Sequence, residues 1–233
     1  MREVRKVEED RSVLRWGGLA GVLGGITFIL VFVIVIAFVG PDPAGPGGPV
    51  TRFPDIRAAR TVENGLYLVV LILWVTHFLA LYRALRGERL APALFGSVLG
   101  IAGLVVLAAG ALPHVVTGRI SDLFHAPGAT PGDQATLVLL WQATQGMFDA
   151  LLIVGLAFLP VGLIALGVAM LGSPDFGKRF GGVTVVLGVI GVVAAVVLLI
   201  DPLSPIAVVG FLVLIVFHLV LGWKVYRLAM VRL

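Results

Sequence analysis

The sequence predicts an all-α fold, a polytopic transmembrane bundle of six helices with both termini cytoplasmic. Three observations carry that expectation. Hydrophobic residues make up 59% of the 233 residues, charged ones only 13%, and the mean hydropathy is +1.09, more apolar surface than one water-soluble core can hide. The charges are spaced so that long uncharged stretches alternate with short charged ones, and crossing the hydrocarbon takes roughly 20 helical residues. Lysine and arginine, finally, collect at alternate ends of those stretches.

The first span occupies about 16–40, uncharged from Trp16 to Gly40, behind a basic head (1–15) that holds Arg2, Arg5, Lys6, Arg11 and Arg15. The apolar run is too long for a signal-peptide core and no small-residue cleavage site follows it, so it reads as a retained anchor. A proline-rich outer loop (41–63) with Pro41, Pro43, Pro46 and Pro49 leads to the second span, 64–82, between Glu63 and Arg83. The third lies at about 91–116. A second outer loop, 117–147, ends in an interfacial lead-in from Gln134 to Met147, and the fourth span, 148–171, contains Asp149 and Pro160 as an expected kink. The fifth and sixth, 180–200 and 205–223, are joined by a tight turn at Asp201, Pro202 and Pro205. Spans 16–230 form one membrane domain.

Orientation follows from the cations, because cytoplasmic segments beside the membrane retain positive charge. With the N-terminus inside, only Arg52, Arg57, Arg60 and Arg119 fall outside; Arg83, Arg86, Arg89, Lys178, Arg179, Lys224, Arg227 and Arg232 join the basic head on the inner side. The pI near 10.0 is therefore a topological signal with attraction to anionic lipid, not the mark of a nucleic-acid partner. The expected location is the inner (plasma) membrane. The absence of cysteine excludes disulfides, thiolate metal sites and thiol nucleophiles.

Lipid tails offer helices no hydrophobic reason to associate, so small residues must permit close packing. On the third span Gly96, Gly100, Gly103, Gly110 and His114 fall on one narrow face interrupted by Leu107. That face is expected to be buried, with Leu107 limiting the approach or filling a notch in the facing helix. Weaker versions run through Gly17, Gly21 and Gly25, and through Thr184, Gly188, Gly191 and Ala195.

Ionisable groups at membrane depth raise a functional question by default. Counting from the inner ends brings Glu63, His114 and Asp149 to one height at the outer boundary, and Gln142, Gln145 and Asp149 share a helix face. These five are the candidate ligand-binding residues of an outward-facing polar pocket; the competing reading is that they are solvated helix ends. Deeper, His77 and His218 each lie about 9 Å of helix rise from the inner-edge residues Arg83 and Lys224. Facing histidines at one depth are the alternative, a pair of axial ligands for haem b in an electron-transfer subunit, with Trp74 and Phe211 lining its slot. A zinc-dependent hydrolase using Ser97, Asp149 and scattered histidines ranks below it, and a transporter has little support without an inverted repeat. No zinc-helix, nucleophile-elbow or phosphate-loop motif is present, so no catalytic residue is assigned. The leading expectation is a small-ligand-binding or accessory membrane module, whose partners would be the bilayer and a membrane protein or second copy.

Across nearly its whole length the chain resembles a bacterial family of six-helix membrane proteins described as a domain of unknown function. The resemblance rests on Ala80, Leu81, Tyr82, Arg83, Ala84, Leu85 and Arg86, and on Phe148, Asp149 and Ala150 leading through Gly155, Gly162 and Gly167 to Gly172. It departs where those proteins carry Pro-Trp and then Leu-Gly, against Pro174, Phe180 and Gly181 here. It implies the six-helix architecture and a role for Asp149, without an activity or cofactor.

Overall fold

In a computed structural model, residues 2–202 and 204–231 are described, with side chains from residue 8 onward. Arg232 and the side chains of Arg2, Arg5 and Lys6, counted above among the inner-side cations, lie outside that set. The chain is all-helical there: α1 (Arg2–Ile34) runs into a π-helical turn (Val35–Val39), followed by α2 (Gly48–Leu85), α3 (Leu90–Phe124), α4 (Pro131–Leu171), α5 (Gly177–Ile200) and α6 (Ala207–Val231). All six are long and apolar enough to cross a membrane. Large apolar side chains such as Val115 and Ile200 stand 73% and 81% exposed, as expected where the solvent is hydrocarbon.

The helices pack in the ring order α1, α2, α3, α4, α5, α6; α3 on α4 is the most intimate pair and α5 on α6 the thinnest seam. Connectivity puts both described chain ends and the 86–89 and 172–176 connections at one end of the bundle, the terminal end. The connections 40–47, 125–130 and 201–206 lie at the other, the loop end.

Helix, not loop, fills most of 41–63 and 117–147. At roughly 1.5 Å per residue, α4 alone is about 60 Å long, twice the hydrocarbon thickness, and it continues unbroken from the expected lead-in through Pro160. Two local devices start these extensions. Pro49 stands in the first turn of α2, where its missing N–H is no loss. At Thr130 a reciprocal capping box satisfies two backbone donors: the Asp133 N–H donates to Thr130 Oγ1 (3.2 Å) and the Thr130 N–H to Asp133 Oδ2 (3.0 Å). The extended ends bury a cluster of their own, Val50, Phe53, Ile120 and Trp141, in which the Phe53 and Trp141 rings meet edge to face at 5.3 Å. Arg57 lies over Phe53 and pairs with Asp122, tying α2 to α3.

The glycine face of α3 is buried. A Cβ at Gly96 would stand 2.8 Å from the Gly162 carbonyl oxygen, and one at Gly103 3.0 Å from that of Gly155, so the α3 and α4 backbones touch where only glycine fits. Leu107 fills a notch: a Cβ at Gly155 would lie 2.6 Å from its Cγ. The α5 face packs on α4 through Gly188 and Gly191 against Pro160 and Ile164, and the α1 face reaches Ala80, His77 and Leu219 through Gly17, Gly21 and Gly25. At the terminal end, Asp10 pairs with Arg83 of α2, and Arg11 donates to the Ala229 carbonyl of α6 (3.0 Å).

Candidate functional site

Toward the loop end the ring opens into a cavity of about 220 Å³ lined by five of the six helices. Phe28, Val31 and Phe32 come from α1, Val35 from the π turn that follows it, Glu63, Asn64 and Tyr67 from α2, His114 from α3, Phe148 and Leu152 from α4, and Phe211 from α6. The aromatic rings hold the walls apart: Phe28 is edge-on to Phe211 at 5.3 Å and lies 6.0 Å from Tyr67, and Phe32 is 5.8 Å from Phe211. The π turn begins at Val35, on the cavity wall. A helix end leaves its last carbonyls without intrahelical donors, and here the Arg52 guanidinium donates to the carbonyls of Val39 and of Pro41 just beyond the turn, while Gly40 takes φ +61° to end the helix.

The polar groups gather on one side. Glu63 accepts from Arg60 (3.0 Å), both side chains mostly shielded. His114 Nδ1 lies 3.1 Å from Asn64 Oδ1; an amide oxygen only accepts, so Nδ1 carries the proton and Nε2 is left as an acceptor. The His114 ring rests on Phe148 at 4.3 Å. Gln145 reaches the rim of a narrower adjoining cleft that also contains His114, Arg60 and Asn64, and its buried Oε1 has no hydrogen-bond partner among the described residues. The cavity thus offers the Glu63 carboxylate and His114 Nε2 as acceptors, the Asn64 NH2 as a donor and the Tyr67 hydroxyl as either, with Gln145 Oε1 a further acceptor in the adjoining cleft.

Of the five residues expected from sequence, the structure brings together Glu63, His114 and Gln145. Asp149 is half-buried and Gln142 exposed on α4, and neither lines the cavity or the cleft. Arg60, Asn64 and Tyr67 were not among those five. Asn64 lies four residues after Arg60 and three before Tyr67, which puts the three on one α2 face beside Glu63, a signal available in the sequence.

His77 and His218 face each other at one depth, fully buried, but their rings are in direct contact: Nδ1 to Nδ1 is 2.7 Å. One Nδ1 therefore donates and the other accepts. At metal–nitrogen distances of about 2.0–2.1 Å, two imidazole nitrogens on one tetrahedral metal are held about 3.3 Å apart or more, farther than these. The surrounding space is taken: Trp74 stacks on His218 at 4.2 Å and 3°, and Phe78 and Phe217 close the remaining sides. A haem plane does not fit this arrangement. The Nε2 atoms of both histidines and Nε1 of Trp74 have no hydrogen-bond partner among the described residues.

The zinc constellation does not assemble either. Among the described residues no group of three or more His, Asp or Glu side chains is placed to hold a metal. Ser97 is buried beside Phe78, whose carbonyl it approaches at 3.5 Å, and the neighbouring Gly96 abuts Gly162, about 20 Å of helix rise along α4 from Asp149.

No protein-family model matches the chain. No curated protein and no solved structure matches it significantly.

Proposed function

We propose that this is a multi-pass protein of the inner (plasma) membrane, termini cytoplasmic, that holds a small amphiphilic ligand in the loop-end cavity opening toward the outer face. The excess of cations at the terminal end supports the orientation. The ligand reading is carried by one observation: a cavity walled mainly by aromatic and aliphatic side chains, with its polar groups confined to one side. Such a division orients a ligand that is apolar over most of its body.

Size and hydrogen bonding narrow the class. A cavity of about 150 Å³ accepts benzene, so 220 Å³ suits a body of about ten heavy atoms. Glu63 and His114 Nε2 accept hydrogen bonds, and the Tyr67 hydroxyl and Asn64 amide NH2 can donate them, so the polar end of the ligand is a group that donates and accepts, a hydroxyl or an amine.

The test uses 4-butylphenol and 4-butylanisole, which differ in that donor, with the detergent-solubilised protein. Butylphenol is expected to raise the melting temperature saturably and more than butylanisole, and the difference is expected to vanish in His114→Phe. Val31→Trp, which fills the cavity, should abolish both shifts. Equal shifts by the two compounds, or shifts that survive Val31→Trp, would refute the proposal.

A further inference from the structure

A second concavity lies at the opposite end of the bundle, outside the ligand cavity, on the α5–α6 seam, the thinnest of the ring. It measures about 710 Å³ and is formed mainly by one face of α6, with Leu219, Val220, Trp223, Lys224 and Arg227 recurring at spacings of three and four, and by Phe180 at the start of α5. Along this face the lining is aliphatic at Leu219 and Val220, aromatic at Trp223 and cationic at Lys224 and Arg227, with Leu228 and Val231 aliphatic again beyond them. The stretch from Leu219 to Arg227 takes about 12 Å of helix rise.

From this apolar stretch ending in two adjacent cations we infer that the groove is a binding site for one anionic phospholipid, its phosphate on Lys224 and Arg227 and an acyl chain along Leu219 and Val220. Charge complementarity supports that occupant. Among the described residues no carboxylate pairs with Lys224 or Arg227, and Lys224 instead rests its ammonium 5.4 Å from the Phe180 ring centre. Lys178 and Arg179 lie within two residues of Phe180 and add to the positive field. Trp223, 55% exposed, sits beside the cations as an interfacial aromatic does. A zwitterionic lipid brings its own cation to this field; an anionic one does not.

Trp223 itself reports occupancy. Trp74 and Trp141 are 1% and 5% exposed, so in a Trp16→Phe background Trp223 is the emitter that lipid reaches. The protein is reconstituted in bilayers containing either brominated phosphatidylglycerol or brominated phosphatidylcholine, and quenching is followed against mole fraction. Two cations near a surface should favour the anionic lipid by about five- to thirty-fold. Lys224→Gln with Arg227→Gln should bring that ratio close to one with the melting temperature unchanged, and each single substitution should lower it part of the way. Equal quenching by both lipids, or a preference that survives the double substitution, overturns the inference. So does failure of either lipid to quench, which would mean a second copy or another protein covers the groove.

Discussion

Gly162→Ala isolates the contact on which the α3–α4 pair depends. The added Cβ would lie 2.8 Å from both the Gly100 amide nitrogen and the Gly96 carbonyl oxygen. Those atoms are backbone, so no rotamer change can make room. Restoring the 3.4 Å at which ordinary contact begins requires the two helices to part by about 0.6 Å, and a gap of that size forfeits about a quarter to a half of each dispersion contact bordering it. Leu159, Leu163 and Leu166, all fully buried in the main core, lie in the separated layer. The expected loss is about 2 kcal/mol, read as a fall of about 4–8 °C in melting temperature for a chain of this size. Gly65→Ala is the control. It is also helical, but a Cβ there meets nothing within 4 Å, and the helix-propensity change predicts a gain of up to about 1 kcal/mol. Both variants would be purified in the same detergent and melted with circular dichroism at 222 nm. If they melt together, backbone contact at Gly162 does not hold the pair and the packing argument fails.

Three further outcomes follow from the same geometry. Arg52→Ala removes the guanidinium that accepts no substitute at the Val39 and Pro41 carbonyls; it should cost about 1–2 kcal/mol and speed amide exchange around the π turn, and Arg52→Lys should recover little because an ammonium cannot fork. Thr130→Ala breaks the capping box and should cost about 1 kcal/mol locally, seen as faster exchange in the first turn of α4 with the melting temperature unmoved. His77→Leu and His218→Leu should each destabilise by about 2–3 kcal/mol, since each strands a buried partner nitrogen; the double variant should fall short of their sum by at least about 1 kcal/mol, and strict additivity in denaturant titrations would refute the direct pairing.

Much of the bundle was legible because membrane solvation imposes a simple code. Uncharged runs locate the spans, and on α3 a 100° rotation per residue places Gly96, Gly100 and Gly103 on the face that meets α4. The shared depth of His77 and His218 likewise anticipated their meeting. Their separation was not legible: counting residues fixes height along an axis, and whether two rings touch or flank a cofactor depends on interhelical distance, set here by Gly21 and Gly222 letting α1 close on both α2 and α6. The helical extensions at the loop end escaped notice for a different reason. Their stability comes from Val50, Phe53, Ile120 and Trp141 meeting across three helices, contacts distant in sequence that no local period records. Asp149 shares a face with Gln145, yet it lies one turn along an α4 surface that turns away from the cavity walls; equal height did not amount to convergence.

The cavity and the glycine packing are two ends of one gradient. On α3, a Cβ added at Gly96, Gly100 or Gly103 would meet its nearest neighbour at 2.7, 2.4 and 2.7 Å, but at Gly110, nearer the loop end, the distance is 3.3 Å. On α6 the same distance grows from 2.8 Å at Gly222 to 3.7 Å at Gly210. Helices clamped at the terminal half therefore diverge toward the loop half, and the divergence is held by Phe28, Phe32, Tyr67, Phe148 and Phe211, rings too large to interdigitate as the glycines do. Polar groups at that end can then face an interior space instead of lipid. A bundle built with small residues throughout would bring Glu63 and His114 into contact with packed backbone, where their desolvation would be severe. The aromatic wedge is thus what permits an ionisable cluster at this depth, and the tight half is what keeps the wedge from becoming a loose core.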